Sequence, residues 1–594
     1  MGRTSWVYIF LGIYIVYCFY WGLKGFFTEK TSGGYAIAGR SIPFIAFLMA
    51  ATAASFSGWT FVGHPGLIWR DGLAYAFASF YVLTIPITGT FFSKRTWLLG
   101  KRYGFITPGD MYAYYFNNEA VRWLTVVTAV LYSIFYSAVQ LMASAALFYF
   151  VAGVPIVYGA IFMAFIVWFY VCTGGLKAST WVGVVQFVLL VGGILLLGGY
   201  ILAQMGGWTE FSAAIRGLGP KYLEVPRIIN FGLGGASGES AWTAVMILTY
   251  MFALMGIQSS PAFTMWTFGL KNPKPLAWQQ AFMSTFLVGF ALFFFTAFQG
   301  FGAKVLELQG VMAFAKDSAV VPKLMMQFLP DVALGIVFMG AIAAIHSTAA
   351  PYIGTGGSIL LRDVYWRYIK KQKASHAEQI WVNRLMATLL TILALVIGLK
   401  STAALVILGA LATAFGFVMY IPLLGVIWGV RFPSVGATLG VVAGMVAVFL
   451  TYYVWPNPLS MHCAFWGTFA GLTVAFLCRG LGFKDTEETV KRQNEVRSFL
   501  DDIDAPTASG MTWRKIMKVA VPGWYIFAIG PACILGNSAF SFAGFPPLWS
   551  WQIVWWILGI VVMWALCFKA ELATTTEVQI QRAEVETNIV VNET

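Results

Sequence analysis

Apolar runs close to 20 residues long follow one another along the whole chain, separated by short polar stretches. A helix of that length crosses the hydrocarbon core of a bilayer, which is about 30 Å thick. The pattern predicts fifteen spans, near residues 5–26, 43–69, 73–98, 121–152, 155–173, 180–203, 241–268, 276–303, 331–361, 380–400, 402–430, 434–456, 461–479, 514–537 and 547–569. The runs are continuous rather than alternating, which excludes a transmembrane β-barrel. The first run has no small-residue cleavage pattern and is read as a retained span. The fold class is therefore an all-α polytopic membrane protein.

Three spans are interrupted by polar residues. Span 2 carries ATAASFSGWT at 51–60. Span 7 carries Gly256, Gln258, Ser259, Ser260 and Pro261. Span 9 carries Ser347, Thr348, Thr355 and Ser358 among five Gly or Pro residues within 340–358. Breaks of this kind in a polytopic protein mark a substrate and ion site near the bilayer midplane. Adjacent hydroxyls on a membrane helix suit a small hard cation. Spans 2–6 and 7–11 form two sets of five, and a broken span opens each set. Five is odd, so the second set is inverted relative to the first. The expected organisation is a first span and loop (1–42), repeats over 43–203 and 241–430, and an outer loop at 204–240. Accessory spans (431–479), a linker (480–513), two further spans (514–569) and a tail (570–594) follow.

Composition narrows the classes. Charged residues make up 10% of the chain, against about 25% in soluble domains. The formal net charge is +13, but the basic residues cluster in short loops, so nucleic acid is not the expected partner. Placing the N-terminus outside puts Lys24–Arg40, Lys94–Arg102, Lys177, Lys271–Lys274, Arg362–Lys373, Arg431 and Arg479–Arg497 in the cytoplasm, as the positive-inside rule demands. The C-terminus then lies inside, and 483–505 reads as an exposed helical linker. The six cysteines show no metal-type spacing. No Walker motif is present, which argues against an ATP-driven pump. A membrane enzyme would need a reactive cluster, and none is evident. A sensor would be expected to carry a signalling domain, and a channel would carry repeated pore loops.

Several motifs resemble the sodium:solute symporter family. They are YAIAGRS at 35–41, SGW…GHPG at 57–66, TGGLKASTW…Q at 173–186, AIHST at 344–348 and AFG at 414–416. The resemblance covers roughly residues 5–480. It implies a leucine-transporter-type fold of two inverted five-helix repeats with extra flanking helices. It also implies secondary-active, sodium-coupled import of a small solute by alternating access, across a bacterial inner membrane. Carried over residue by residue, the sodium ligands are the carbonyls of Ala53, Phe56 and Ala344 and the hydroxyls of Ser347 and Thr348. Ala344, Ser347 and Thr348 are spaced i, i+3, i+4 and share a helical face. Helix-to-helix hydrogen bonding is the competing role for the two hydroxyls. The chain departs from the family at Ser55 and Gly183, where many members carry an acidic residue.

The fold so implied lines its solute pocket from spans 2, 4, 7, 9 and 11. The candidates are Ser57, Gly58 and Trp59, then Tyr136 and Gln140, then Gln258 and Ser259. Buried amides are usually paired or functional. No charged residue stands mid-span among these elements. The pocket should therefore be neutral and favour a monocarboxylate or a zwitterionic amino acid over a dicarboxylate or a sugar. His64 sits beside Pro65 and reads as a structural residue at a kink; proton coupling through it is the alternative to sodium. His346 faces away from Ser347. Arg362 and Asp363 read as an interfacial anchor. The sequence sets no oligomeric state.

Overall fold

The computed structural model describes residues 2–232, 241–400, 405–574 and 580–583. Among these residues the regular structure is helical, apart from one isolated bridge between Ile42 and Leu270. Eleven helices are long and apolar enough to span a membrane, or up to thirteen when each of two bent pairs counts as one span. The N-terminal half contains α1 (Arg3–Thr28), α2 (Phe44–Ser55), α3 (His64–Ala76), α4 (Tyr81–Tyr103), α5 (Pro108–Phe116), α6 (Glu119–Ala152) and α7 (Ile156–Gln204). Local signals set the boundaries. Thr107 and Asp110 form a reciprocal capping box that opens α5. Asn118 caps α6, and Gly153 stops it in a left-handed conformation.

The second half contains α8 (Ala244–Ser259), α9 (Pro261–Phe268), α10 (Ala297–Leu308), α11 (Asp331–Ile359), α12 (His376–Lys400), α13 (Leu405–Val418) and α14 (Tyr420–Trp428). The C-terminal portion adds α15 (Ser434–Phe449), α16 (Cys463–Gly480), α17 (Glu487–Ile503), α18 (Ala508–Ala528) and α19 (Pro547–Trp564). The centre of the molecule is α11, which packs against α7, α6, α1, α12 and α2. Small residues permit close approach: a Cβ on Gly340 of α11 would lie 2.5 Å from the Leu189 carbonyl of α7.

Two predicted spans, 155–173 and 180–203, correspond to two helices that meet end to end within the 49-residue segment α7. A straight helix of that length would run about 73 Å, far beyond the bilayer core. It bends at Gly175 (φ 60°, ψ −152°), a backbone region essentially reserved for glycine. Gly72 bends α3 with nearly the same angles (φ 69°, ψ −150°). The linker helix α17 differs from the exposed segment expected from its charge. Val496 and Leu500 are buried, Arg497 donates to the Tyr115 hydroxyl at 2.8 Å, and Tyr103 donates to Glu495 at 3.2 Å.

Two buried ionic clusters tie distant segments together. Arg122 Nη1 donates to Asp110 at 2.7 Å and to Asp363 at 2.6 Å, and its Nε donates to Glu119 at 2.8 Å. Asp363 also accepts from Thr107 at 3.0 Å. Burial pushes the Asp110 carboxyl up, but Arg362 and Arg122 together outweigh it and hold it below its ordinary value. Asp363 is thus part of a network reaching back to α5 and α6, more than the interfacial anchor expected. In the second cluster, Lys94 of α4 pairs with Asp504 and donates to the carbonyls of Glu571 (2.5 Å) and Thr574 (2.6 Å). Arg95 binds Asp504 at 2.6 Å and the Ile427 carbonyl at 3.0 Å.

Candidate functional site

Helix α2 ends where Phe56 turns extended (φ −118°, ψ 97°), with its N–H held by the Ala53 carbonyl at 3.3 Å. A π-helical turn, Trp59–Gly63, then leads into α3. The chain thus interrupts its helix at Phe56 and Ser57, and the last carbonyls of α2 lose their usual partners four residues on. Helix α11 passes this break. Ser347 Oγ lies 2.9 Å from the Ala53 carbonyl and 3.0 Å from that of Ala344. Thr348 Oγ1 lies 3.4 Å from the carbonyls of both Ala54 and Ala344. Ala53, Ala344, Ser347 and Thr348 are therefore brought together as neutral oxygen donors, with Phe56 buried at the adjoining turn. Ala54 joins them, although the sequence did not single it out. A set of hydroxyls and carbonyls without a thiolate or imidazole suits a hard cation. His346 faces another way: its Nδ1 is 3.2 Å from the Tyr14 hydroxyl, which accepts from Gln186 at 2.6 Å.

Beside the break lies a small enclosed cavity of about 20 Å³, close to the room one water needs. Ser57, Trp59, Tyr136 and Gln140 line it, as expected. Gly58 stands behind them, its N–H donating to Gln140 Oε1 at 3.0 Å. A Cβ there would collide with Ile345 and come within 3.1 Å of Gln140. The Gln140 Nε2 is buried without a partner. Trp59 packs edge-on to Tyr81, at 5.1 Å between centroids, and against His64 at 5.3 Å. His64 is fixed by Ser79 at 2.9 Å and Tyr75 at 3.4 Å.

Gln258 and Ser259 lie away from this cavity. Ser259 donates to the Gly416 carbonyl at 2.7 Å. The Gln258 amide points toward Gly89 and Gln280. Helix α8 presents Tyr250, Leu254 and Ile257 to the cavity instead. The remaining wall comes from Ser55, Thr60, Tyr81, Val139, Gly409, Ala410 and Thr413. These residues carried no polar-in-apolar signal strong enough to stand out, except Ser55 and Thr60 within the interrupted segment. Among the described residues no charged side chain lines the cavity and no span 9 residue reaches it.

A broken membrane helix crossed by a hydroxyl-bearing helix, beside an uncharged cavity, defines the class as a polytopic secondary transporter. A sequence profile of the sodium:solute symporter family matches residues 35–444, and the chain belongs to that family. It is accordingly a transporter and not an enzyme, and sodium is its coupling ion. A sodium/glucose cotransporter of Vibrio parahaemolyticus is 24% identical over 508 residues, covering 77% of this chain and 87% of the relative. The solved structure of a Na⁺-coupled sialic acid symporter, in a substrate-bound outward-open state, superposes with a TM-score of 0.68. It is 17% identical and covers 82% of this chain and 100% of its own; the shared feature is the fold.

Proposed function

We propose that this protein imports a small neutral or monoanionic organic solute together with Na⁺ by alternating access. A monocarboxylate or an amino acid is the preferred class. Sodium would be held by the carbonyls of Ala53, Phe56 and Ala344 and the hydroxyls of Ser347 and Thr348. The observation that carries this reading is the 2.9 Å approach of Ser347 to Ala53 across the break of α2. The solute would lie against Ser57, Gly58, Trp59, Tyr136 and Gln140; Gln258 and Ser259, turned away from the cavity, would reach it only when the second broken helix moves. The unpaired Gln140 Nε2 is a donor for a carboxylate or carbonyl oxygen. Of the relatives named above, one is a sodium/glucose cotransporter and the other a sialic acid symporter; this cavity offers one amide, several hydroxyls and no charged side chain. At about 20 Å³ its walls must part to admit any solute.

The reading includes inverted repeats over 43–203 and 241–430 and about fifteen spans. The Gly175 bend supports it by dividing α7 into two lengths that each fit a bilayer. The distribution of Lys and Arg supports an N-terminus outside and a cytoplasmic C-terminus, and the family resemblance supports a bacterial inner membrane. The test is thermal stability of the purified protein in sodium chloride against choline chloride, with small acids, amino acids and sugars added in turn. A ligand of the folded state stabilises it by about 2.7 kcal/mol at a hundredfold excess over its Kd. A sodium-specific rise enlarged by an acid or amino acid is expected; a sodium-independent, pH-dependent response would overturn the ion assignment.

A further inference from the structure

A cavity far larger than the solute site lies elsewhere among the described residues. It is a groove of about 740 Å³ where α18 lies against α4, α8 and α14. Its walls are apolar, including Phe91, Phe252, Trp428 and Val521. The two tyrosine hydroxyls along it are occupied: Tyr420 meets Thr88 at 2.5 Å, and Tyr525 meets the Met255 sulfur at 3.4 Å. Its charged groups are Arg514 and Lys518, both at one end. They are four residues apart on α18 and share a helical face. Arg514 Nε donates to the Ala570 carbonyl at 2.9 Å, while its Nη2 is buried without an acceptor. The nearby carboxylates are engaged elsewhere: Asp504 by Lys94 and Arg95, Glu571 by the N–H and hydroxyl of Thr507.

We propose that this groove binds one anionic phospholipid, with an acyl chain along α18 and the headgroup phosphate on Arg514 and Lys518. From Arg514 to Ile526 the helix rises about 18 Å, close to one leaflet of a hydrocarbon core about 30 Å thick. An apolar slot of one-leaflet depth with cations at its mouth matches an amphiphile whose charge is at one end. Basic pockets between membrane helices hold anionic headgroups for this reason. The Arg514 Nη2 has no hydrogen-bond acceptor of its own, and a phosphate oxygen would supply one.

The test is native mass spectrometry of the full chain, released from detergent containing equal amounts of phosphatidylglycerol and phosphatidylcholine. One retained phosphatidylglycerol is expected, favoured by roughly fivefold or more over phosphatidylcholine. Lys518→Gln, at an exposed position, should reduce that preference, and Arg514→Gln with Lys518→Gln should bring the ratio near one. Val521→Trp, which fills the slot, should lower retention of both lipids. Equal retention of both lipids by the unaltered protein would overturn the proposal, as would a ratio unmoved by Lys518→Gln. A lipid-free dimer would mean that a second copy covers the groove. Loss of the preference on adding inorganic phosphate alone would mean a free-anion site.

Discussion

Ser347 has one proton and two carbonyls within reach, Ala53 at 2.9 Å and Ala344 at 3.0 Å. A cation bound here takes a hydroxyl lone pair, and the proton must then turn to one carbonyl. Donation to Ala344 within the same helix frees the Ala53 oxygen for the ion. In the proposed site, sodium would replace a hydrogen bond between α11 and α2 with a shared ligand. Removing the hydroxyl in Ser347→Ala should raise the sodium concentration for half-maximal stabilisation about tenfold, while Thr348→Ser should stay near the unaltered protein. Gln140→Ala should raise the half-saturating solute concentration by a similar factor, about tenfold, as a donor to a charged acceptor is lost; uptake at varied solute concentration reads this. Gly183 explains one departure from the family pattern. A Cβ there would lie 2.7 Å from the Ala50 Cβ, so α7 and α2 meet too closely for an aspartate. The Ser347–Thr348 pair was legible because hydroxyls stand out in an apolar run. The direction of Gln258 was not, because the rotation of a helix beyond a break depends on its packing partners.

Helices α2, α8 and α7 each change course differently. The break after α2 leaves carbonyls open. That after α8 is closed by Ser260, whose hydroxyl donates to the Ile257 carbonyl at 2.7 Å, and by Pro261 at the start of α9. The bend in α7 depends on one residue. Gly175→Ala should destabilise the protein by about 1–3 kcal/mol, because the angles there exclude a side chain and a Cβ would strike the Tyr35 carbonyl. Thermal unfolding in detergent checks this, with Gly192→Ala in the open part of the same helix as the neutral comparison. Most helices were legible because a bilayer demands long apolar runs. The division of α7 was legible too, since two apolar runs flank GGLK in the 173–186 motif and the two helices meet at Gly175. The docking of α17 was hidden: its apolar stripe is short, and its partners Tyr103 and Tyr115 lie nearly 400 residues earlier in the chain.

Across the whole molecule, buried charge joins segments that no local pattern connects. Arg122 and Asp363 are 241 residues apart in sequence, so the sequence showed only an Arg362–Asp363 pair at a span end. Arg122→Gln would leave Asp110 and Asp363 buried with a guanidinium missing, a loss of roughly 3–5 kcal/mol. The pH dependence follows in sign. Asp110 is held below its ordinary value, so its contribution is complete above the unfolded carboxylate range and is lost as pH falls through the folded value. With Arg122 gone, Arg362 acts alone against burial and the Asp110 carboxyl moves up from its present value. The deficit of Arg122→Gln should therefore narrow as pH is lowered from about 8 to about 5, read by thermal unfolding of both proteins. The Lys94 cluster has a consequence in time. Its partner carbonyl at Glu571 lies 477 residues downstream. At about 5–20 residues per second, a ribosome takes roughly 25–95 seconds to cover that distance. Throughout that interval the ammonium lacks its full set of ligands, so a segment synthesised late completes one inserted early. A chain cut before residue 571 would keep the Asp504 pair but lose the two carbonyls that complete the shell of the Lys94 ammonium.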